Sequence, residues 1–234
     1  MPRPTRLEYP GALYHVTARG VQRGDIFFDD HDRQALLKYL ARALEEGHAH
    51  AFAYCLMGNH YHVVLQTSLP NLSTLMQRIN SGFCQAVNRR HERCGHLLEG
   101  RFKALVVDRH AYLLEVCRYV DLNPVRAGLV ESPSQWRWSS YASHIGSAPV
   151  PTWLATAELH GALTGQPPET EMQRRAAQRG YAQWVAAGRG VRLWSEALRH
   201  GLYLGDEAFA ERMKRAEPTA VVGAEAASRD RGQA

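Results

Sequence analysis

The sequence lacks the features that mark several common classes of protein. Its four cysteines include no Cys-x-x-Cys pair, so neither a zinc ribbon nor a dithiol redox site is indicated. No apolar stretch approaches the ~18 residues that span a bilayer, and the first six residues contain no apolar signal core. The 234 residues are 45% hydrophobic and 22% charged, which is typical of a globular protein. We therefore expect a soluble, cytoplasmic protein with reduced cysteines.

Positive charge is concentrated in one part of the chain. The formal charge is +5, and the stretch from Arg78 to Arg126 alone carries +4, with nine basic residues against five acidic ones. Eight of those nine are arginine, whose planar guanidinium pairs well with phosphate. This distribution favours a polyanionic partner such as nucleic acid, although a solvated helix face would give the same pattern.

Strand-like and helix-like segments alternate over the first 122 residues. Segments rich in β-branched and aromatic residues predict strands at 13–18, 50–57, 61–66 and 101–107. Apolar residues at helical spacing predict helices at about 31–46, 71–93 and 109–122. The order β-α-β-β-α-β-α predicts an α+β protein, with a ferredoxin-like antiparallel sheet and helices packed on one face.

The composition changes near residue 146, where the Gly-, Pro- and Ser-rich segment 146–151 indicates a domain boundary. Short helical patterns follow it, and the last residues are rich in Ala, Gly, Glu and Arg. We therefore expect a domain at 1–145, a helical accessory domain at 150–217 and a disordered tail at 218–234.

Two histidines on the third predicted strand can share a metal ion. His60 and His62 are two residues apart, so they project from the same face of a strand while Tyr61 points to the other. A single His-x-His is a weak signal in a chain with 12 histidines. A pair placed at a solvent edge is the alternative interpretation.

A tyrosine and an asparagine lie one helical turn apart on the third predicted helix. Tyr119 and Asn123 share a helix face, so a phenol and an amide can reach one metal-bound phosphate, whereas Asp121 points elsewhere. The alternative is a half-buried Tyr119 with Asn123 as a C-terminal cap. On composition alone, Tyr112 and Tyr141 compete for the role of nucleophile.

Four segments together resemble a known family: Pro10–Gly20 (PGALYHVTARG), 53–65 (AYCLMGNHYHVVL), 100–103 (GRFK) and 118–130 (RYVDLNPVRAGLV). In this order they resemble the single-tyrosine HUH transposases of the IS200-like group, and among these the REP-associated tyrosine transposases. The resemblance covers about residues 3–145. Gly58 stands where the family usually has proline, a difference that concerns the turn and not the ligands.

The resemblance implies a ferredoxin-like nuclease core, an HUH motif at His60-Tyr61-His62 and a catalytic tyrosine at Tyr119. It implies an enzyme that nicks single-stranded or hairpin (REP-like) DNA and transfers the strand through a 5′-phosphotyrosine intermediate. His60 and His62 would hold a divalent ion, Mg²⁺ or Mn²⁺. Asn123 is the candidate third ligand, by its spacing and because the family uses an amide or carboxylate one turn after the tyrosine.

Basic residues supply candidate contacts to DNA phosphates: Arg89, Arg90, Arg101, Lys103 and Arg126. Arg101 and Lys103 alternate on the fourth predicted strand, where they could instead be solubilising edge charges. The arginines at the end of the second helix could simply complement its dipole. His15, on the first strand, is expected to be a packed core histidine.

Two other classes of function stay open from the residues. The same topology serves non-catalytic modules that bind RNA or single-stranded DNA, although no RNP-like pattern is present. A structural metal-binding domain is a third reading, but no closed four-ligand set is evident near His60 and His62. One nucleophile per chain permits action as a monomer or a homodimer.

Overall fold

The structure, a computed structural model, describes residues 6–189 and 203–216. Its sheet has five strands in the order β2-β3-β1-β4-β5. Their bounds are β1 Leu13–Arg19, β2 Ala49–Leu56, β3 His60–Thr67, β4 Lys103–Val107 and β5 Tyr203–Leu204. Neighbours among β1 to β4 pair antiparallel, and β5 pairs parallel to β4. The predicted α+β class is confirmed, and the sheet gains a strand that the sequence did not predict.

The helices of the first half of the chain begin and end close to the predicted positions. In chain order the helices are α1 Asp30–Glu46, α2 Leu72–Arg90, α3 Arg109–Asp121, α4 Asn123–Arg126, α5 Tyr141–His144, α6 Thr156–Thr164, α7 Glu171–Ala187 and α8 Glu207–Ala216. Aspartate side chains fix two of the starts, because Asp29 and Asp108 accept hydrogen bonds from backbone N–H groups in the first turns of α1 and α3. In the described part of the chain, none of the helices has the length and apolarity to cross a membrane.

Helices cover both faces of the sheet, not one face as predicted. Apolar side chains of α1 and α2, including Leu40 and Phe83, pack in one cluster with β1 and β3 residues such as Val16 and Tyr61. A second cluster joins α3 to the opposite face of the same strands. The correction has a simple physical reason: alternate residues of these strands are apolar on both sides, and each side needs a cover.

The region beyond residue 150 packs into the same core as the first domain. Leu159 of α6 and Tyr181 and Val185 of α7 are fully buried in the cluster that contains α3. The strand β5 extends the sheet beside β4. In the described residues, the predicted accessory domain at 150–217 therefore packs directly onto the core of the predicted domain at 1–145. The tail predicted at 218–234 lies outside them.

Because α6 and α7 pack into the same core, we expect that a cavity made in α6 destabilises the whole described core. Leu159→Ala removes a fully buried side chain, and we expect a loss of about 2–5 kcal/mol in the free energy of unfolding. Urea unfolding followed by tyrosine and tryptophan fluorescence should show one transition at lower urea. The matched control is Leu129→Ala, which truncates a side chain that is 53% exposed and should change stability by less than about 0.5 kcal/mol. Two transitions, of which only one moves, would indicate an independent accessory domain.

Candidate active site

The register of the central strands brings His60 and His62 together on the face that α3 covers. Thr17 of β1 is paired with His62, and Arg19 is paired with His60. Residues directly opposite each other on antiparallel strands project from the same face. The ring centroids of His60 and His62 are 5.0 Å apart. Two imidazoles thus lie side by side on a central strand, close to the cationic side chain of Arg19.

A hydrogen-bonded chain fixes the orientation of the His60 ring. Asn59 donates through Nδ2 to the backbone oxygen of Arg23, at 2.8 Å, which leaves its Oδ1 as an acceptor. The His60 Nδ1 lies 2.6 Å from that Oδ1 and must therefore carry the proton. The neutral ring then has its lone pair on Nε2, the nitrogen that is left to bind a metal.

His62 is oriented by a histidine that the sequence analysis set aside. The Nε2 of His15 lies 2.9 Å from the Nδ1 of His62, and both rings are buried. This bond occupies Nδ1 of His62, so the tautomer with the proton on Nδ1 presents a lone pair at Nε2. His15 is therefore a packed histidine as expected, but it also serves as the partner that orients a candidate ligand.

Burial keeps this histidine cluster neutral. Desolvation lowers the pKa of His15 to about 4, and desolvation with the nearby charge of Arg19 lowers that of His60 to about 4. Burial, assisted by the other two rings and by Arg19, also holds the pKa of His62 well below its usual 6.5. Neutral imidazole is the form that binds a metal ion, so the ligands are in the correct protonation state at neutral pH.

Tyr119 lies against two of these rings. Its ring centroid is 6.0 Å from that of His62 and 5.8 Å from that of His15, in edge-on contacts. The guanidinium of Arg126 lies 4.8 Å from the Tyr119 ring centroid. Tyr141, one of the competing tyrosines, is buried in the cluster that contains α3. The helix α3 thus delivers a phenol and α4 an arginine to the histidine pair.

Asn123 acts as a cap at the end of α3. Its Nδ2 donates to the backbone oxygen of Tyr119, at 3.0 Å, and makes a longer bond to that of Val120, at 3.5 Å. The side-chain Oδ1 is the atom that Asn123 can offer to a metal. Within residues 6–189 and 203–216, no three His, Cys, Asp or Glu side chains form a metal-binding group. The histidine pair therefore needs an amide, a water or the substrate to complete a coordination shell.

The basic residues selected from the sequence occupy different surroundings. Lys103 is paired with Thr17, so it projects from the same face as His62, on the other side of β1. Arg89 is exposed in the last turn of α2. Arg90 is ion-paired with Asp29 and with the buried Asp32. The prediction that Arg90 contacts DNA therefore has a competitor in two carboxylates of the protein.

Arg101 lies on a different side of the molecule from Lys103. The strand β4 begins only at Lys103, and Arg101 lines a cavity of about 570 Å³ together with Arg6 and residues of α2. Arg6 donates a 2.6 Å hydrogen bond to the backbone oxygen of Phe102, and burial together with the charge of Arg101 lowers its pKa. The two guanidinium groups thus share one rim of the cavity.

Sequence reasoning missed Arg19 as a member of the site. The alternation in β1 places His15, Thr17 and Arg19 on one face, a signal that is visible in the sequence. What the sequence does not give is the register that sets Arg19 opposite His60. With that register known, β1 would have been recognised as a second strand of the site.

The comparison with protein families agrees with this arrangement. The family model "Transposase IS200 like" matches residues 9–123, a range that includes both histidines of β3, Tyr119 and Asn123. The chain belongs to the IS200-like transposase family, and it is a DNA-nicking transposase. No curated protein matches the sequence.

One solved structure shares the fold at low sequence identity, and two others match with lower TM-scores. The REP-associated tyrosine transposase bound to a REP hairpin superimposes with a TM-score of 0.55 and 17% identity, over 66% of this chain and 92% of that one. A candidate transposase from Deinococcus radiodurans R1 matches with a TM-score of 0.36 and 15% identity, over 52% of this chain and 96% of that one. The tRNA(His) guanylyltransferase from Saccharomyces cerevisiae matches with a TM-score of 0.39 and 9% identity, over 84% of this chain and 85% of that one.

The lowered pKa values of His15 and His60 predict a loss of stability in mild acid. Because each folded-state pKa lies below the usual 6.5, the unfolded chain binds more protons as the pH falls from about 6.5 to about 4. The free energy of unfolding, measured by urea titration at several pH values, should fall across this interval. A His60→Gln variant should show a shallower fall, since one of the groups that takes up a proton on unfolding is gone. An unchanged slope in that variant would contradict the half-buried, neutral state of His60.

Proposed function

We propose that the protein is a metal-dependent single-stranded DNA endonuclease and strand transferase that acts on hairpin DNA through a 5′-phosphotyrosine intermediate. The observation that carries this proposal is the edge-on contact of the Tyr119 ring with the His62 ring, beside His60. A nucleophile and a candidate metal site are adjacent there. The similarity in fold to a transposase bound to a REP hairpin supports hairpin DNA as the substrate.

The proposed ion is Mg²⁺ or Mn²⁺: the amide oxygen and the phosphate oxygens of the substrate suit either ion, whereas the two imidazole nitrogens are less usual ligands for them. His60 and His62 would bind it through Nε2, since their Nδ1 atoms are occupied by Asn59 and His15. Asn123 would add Oδ1 while its Nδ2 continues to cap α3. Bound there, the ion would act as a Lewis acid on the scissile phosphate.

Tyr119 is the proposed nucleophile. Its phenolic oxygen forms a bond to phosphorus, the bond between phosphorus and the 3′ oxygen breaks, and the released 3′ oxygen takes up a proton. The 5′ phosphate is then joined to the tyrosine. A 3′-hydroxyl of another strand can reverse the same step, which restores the phenol and transfers the strand without ATP. Arg126, placed over the ring, favours negative charge on the phenol and on the bound phosphate.

The cations around the site define the proposed path of the DNA strand. Arg19, Lys103 and Arg126 lie on the face that carries the histidine pair, and each can contact a phosphate. Arg101, with Arg6, extends positive charge to the cavity beside α2. Arg89 is exposed at the end of α2 and is kept as a peripheral contact. Arg90 is omitted, because its guanidinium is held by Asp29 and Asp32.

The sheet gives little support to a non-catalytic RNA- or DNA-binding regulator. Such modules stack bases on aromatic side chains that are exposed on an open sheet face. The aromatic side chains of β1 to β3 are buried: Tyr14, Phe52, Tyr54 and Tyr61. Helices cover both faces, so a base has no platform on these strands.

The Tyr119→Phe variant tests the nucleophile. It removes one oxygen and leaves the ring that packs against His15 and His62, so we expect normal folding and hairpin binding with no covalent adduct. The assay is incubation with labelled hairpin DNA and Mn²⁺, followed by denaturing electrophoresis. The matched control is Tyr112→Phe on the same helix, which should still form the adduct. An adduct in Tyr119→Phe, mapped to another tyrosine, would overturn the assignment.

The metal site is tested by His60→Ala. The variant lacks one of the two Nε2 ligands, so its Mn²⁺ affinity, measured by calorimetry on the protein alone, should fall by more than about tenfold. Tyr61→Phe is the control: Tyr61 lies between the two histidines but faces the other way, where its hydroxyl donates to Asn80. Equal losses of Mn²⁺ affinity in both variants would assign the whole segment a packing role.

A further inference from the structure

The helix α7 contacts α3 at two positions that flank Tyr119, on the side of α3 away from the Tyr119 ring. The hydroxyl of Tyr181 donates to Oδ2 of Asp121, at 2.7 Å. The guanidinium of Arg118 lies 4.3 Å from the ring centroid of Trp184. Gly188 directly follows α7 and lies close to Arg118. A Cβ on Gly188 would stand 2.5 Å from the Cδ of Arg118, so a residue larger than glycine would clash there. These contacts come from residues just before and just after the proposed nucleophile.

Asp121 joins three parts of the fold. Its Oδ1 accepts a 3.0 Å hydrogen bond from the hydroxyl of Ser140, and the Ser140 Oγ accepts another from the backbone N–H of Tyr54 on β2. The carboxyl group is fully buried, and burial raises its pKa to about 7. A buried carboxyl group is costly unless its oxygens are hydrogen-bonded, so its position is held tightly by Tyr181 and Ser140. From the sequence, Asp121 is expected only to point away from the face that Tyr119 and Asn123 share.

The rotation of α3 about its axis sets the position of the Tyr119 oxygen. In a helix, Asp121 projects about 200° from Tyr119, on nearly the opposite side. A contact that holds Asp121 therefore fixes the rotation of α3 and the direction in which Tyr119 points. An atom about 6 Å from the axis moves about 1 Å when the helix turns by about 10°. Reacting groups that are displaced by about 1 Å can lose on the order of a hundredfold in rate.

We propose that Tyr181 is a positioning residue for Tyr119 and acts through Asp121. The inference rests on the proposed function of Tyr119. It makes the C-terminal extension a part of the catalytic unit, because a hydroxyl group on α7 holds the helix that carries the nucleophile. Tyr181 itself contacts neither the histidine pair nor the proposed substrate path.

The test is Tyr181→Phe in the full-length protein, with the rate of covalent adduct formation measured in a single turnover at saturating hairpin DNA. We expect a reduction on the order of tenfold, with the dissociation constant for DNA unchanged, because the ring still fills its place in the core. The matched control is Tyr14→Phe. Tyr14 is equally buried, on the opposite face of the sheet, and its hydroxyl donates to the backbone oxygen of Leu7 at 3.1 Å.

The two variants separate positioning from stability. Both lose a hydrogen bond made by the hydroxyl of a buried tyrosine ring, so both should melt at a lower temperature, but only Tyr181→Phe should slow adduct formation. Equal rates in the two variants would overturn the proposal.

A second comparison uses Asp121→Ala, alone and combined with Tyr181→Phe. Asp121→Ala removes the acceptor of the Tyr181 hydroxyl, so the double variant should be no slower than Asp121→Ala alone. Multiplicative slowing would show that the two residues act separately and would also overturn the proposal. Failure of the proposed function itself would appear differently, as an adduct that persists in Tyr119→Phe.

Discussion

The strand β1 lies between β3 and β4, and its antiparallel register with β3 places His15, Thr17 and Arg19 beside the histidine pair. A slip of one residue would turn the β1 side chains to the α1–α2 face. His62 would then lose the imidazole that holds its Nδ1, and His60 would lose its cationic neighbour. The protonation state and orientation of the candidate ligands therefore depend on backbone pairing that involves neither ligand's side chain.

The same pairing explains how imidazole rings can be buried at the site without a large cost in stability. Buried histidines are stable when they are neutral and hydrogen-bonded, and His15 and Asn59 supply those bonds to His62 and His60. Positive charge is kept on longer side chains, such as Arg19 and Arg126, whose guanidinium groups can meet a phosphate. The candidate ligands are thus neutral, and the positive charge near them is carried by arginines.

The sequence predicted those features that are encoded locally. Segments rich in β-branched and aromatic residues and apolar residues at helical spacing predicted the elements within a few residues, and the motifs predicted the family. Features that depend on distant residues were not predicted. Arg90 was a candidate DNA contact, but the structure pairs it with Asp29, 61 residues away. The segment at 146–151 resembled a linker, but Gly146 is packed against the side chain of Gln178 on α7.

The histidine pair and Tyr119 come from two elements, β3 and α3, that are not adjacent in the chain. The candidate ligands project from β3, whereas the proposed nucleophile comes from α3, which packs across β2 and β3. The distance between them is therefore set by how α3 packs on the sheet. On the side of α3 away from Tyr119, α7 contacts Asp121 and Arg118, and Ser140 joins Asp121 to β2. For a proposed nucleophile that is carried on a packed helix, these contacts give that helix a second point of attachment, which α7 supplies.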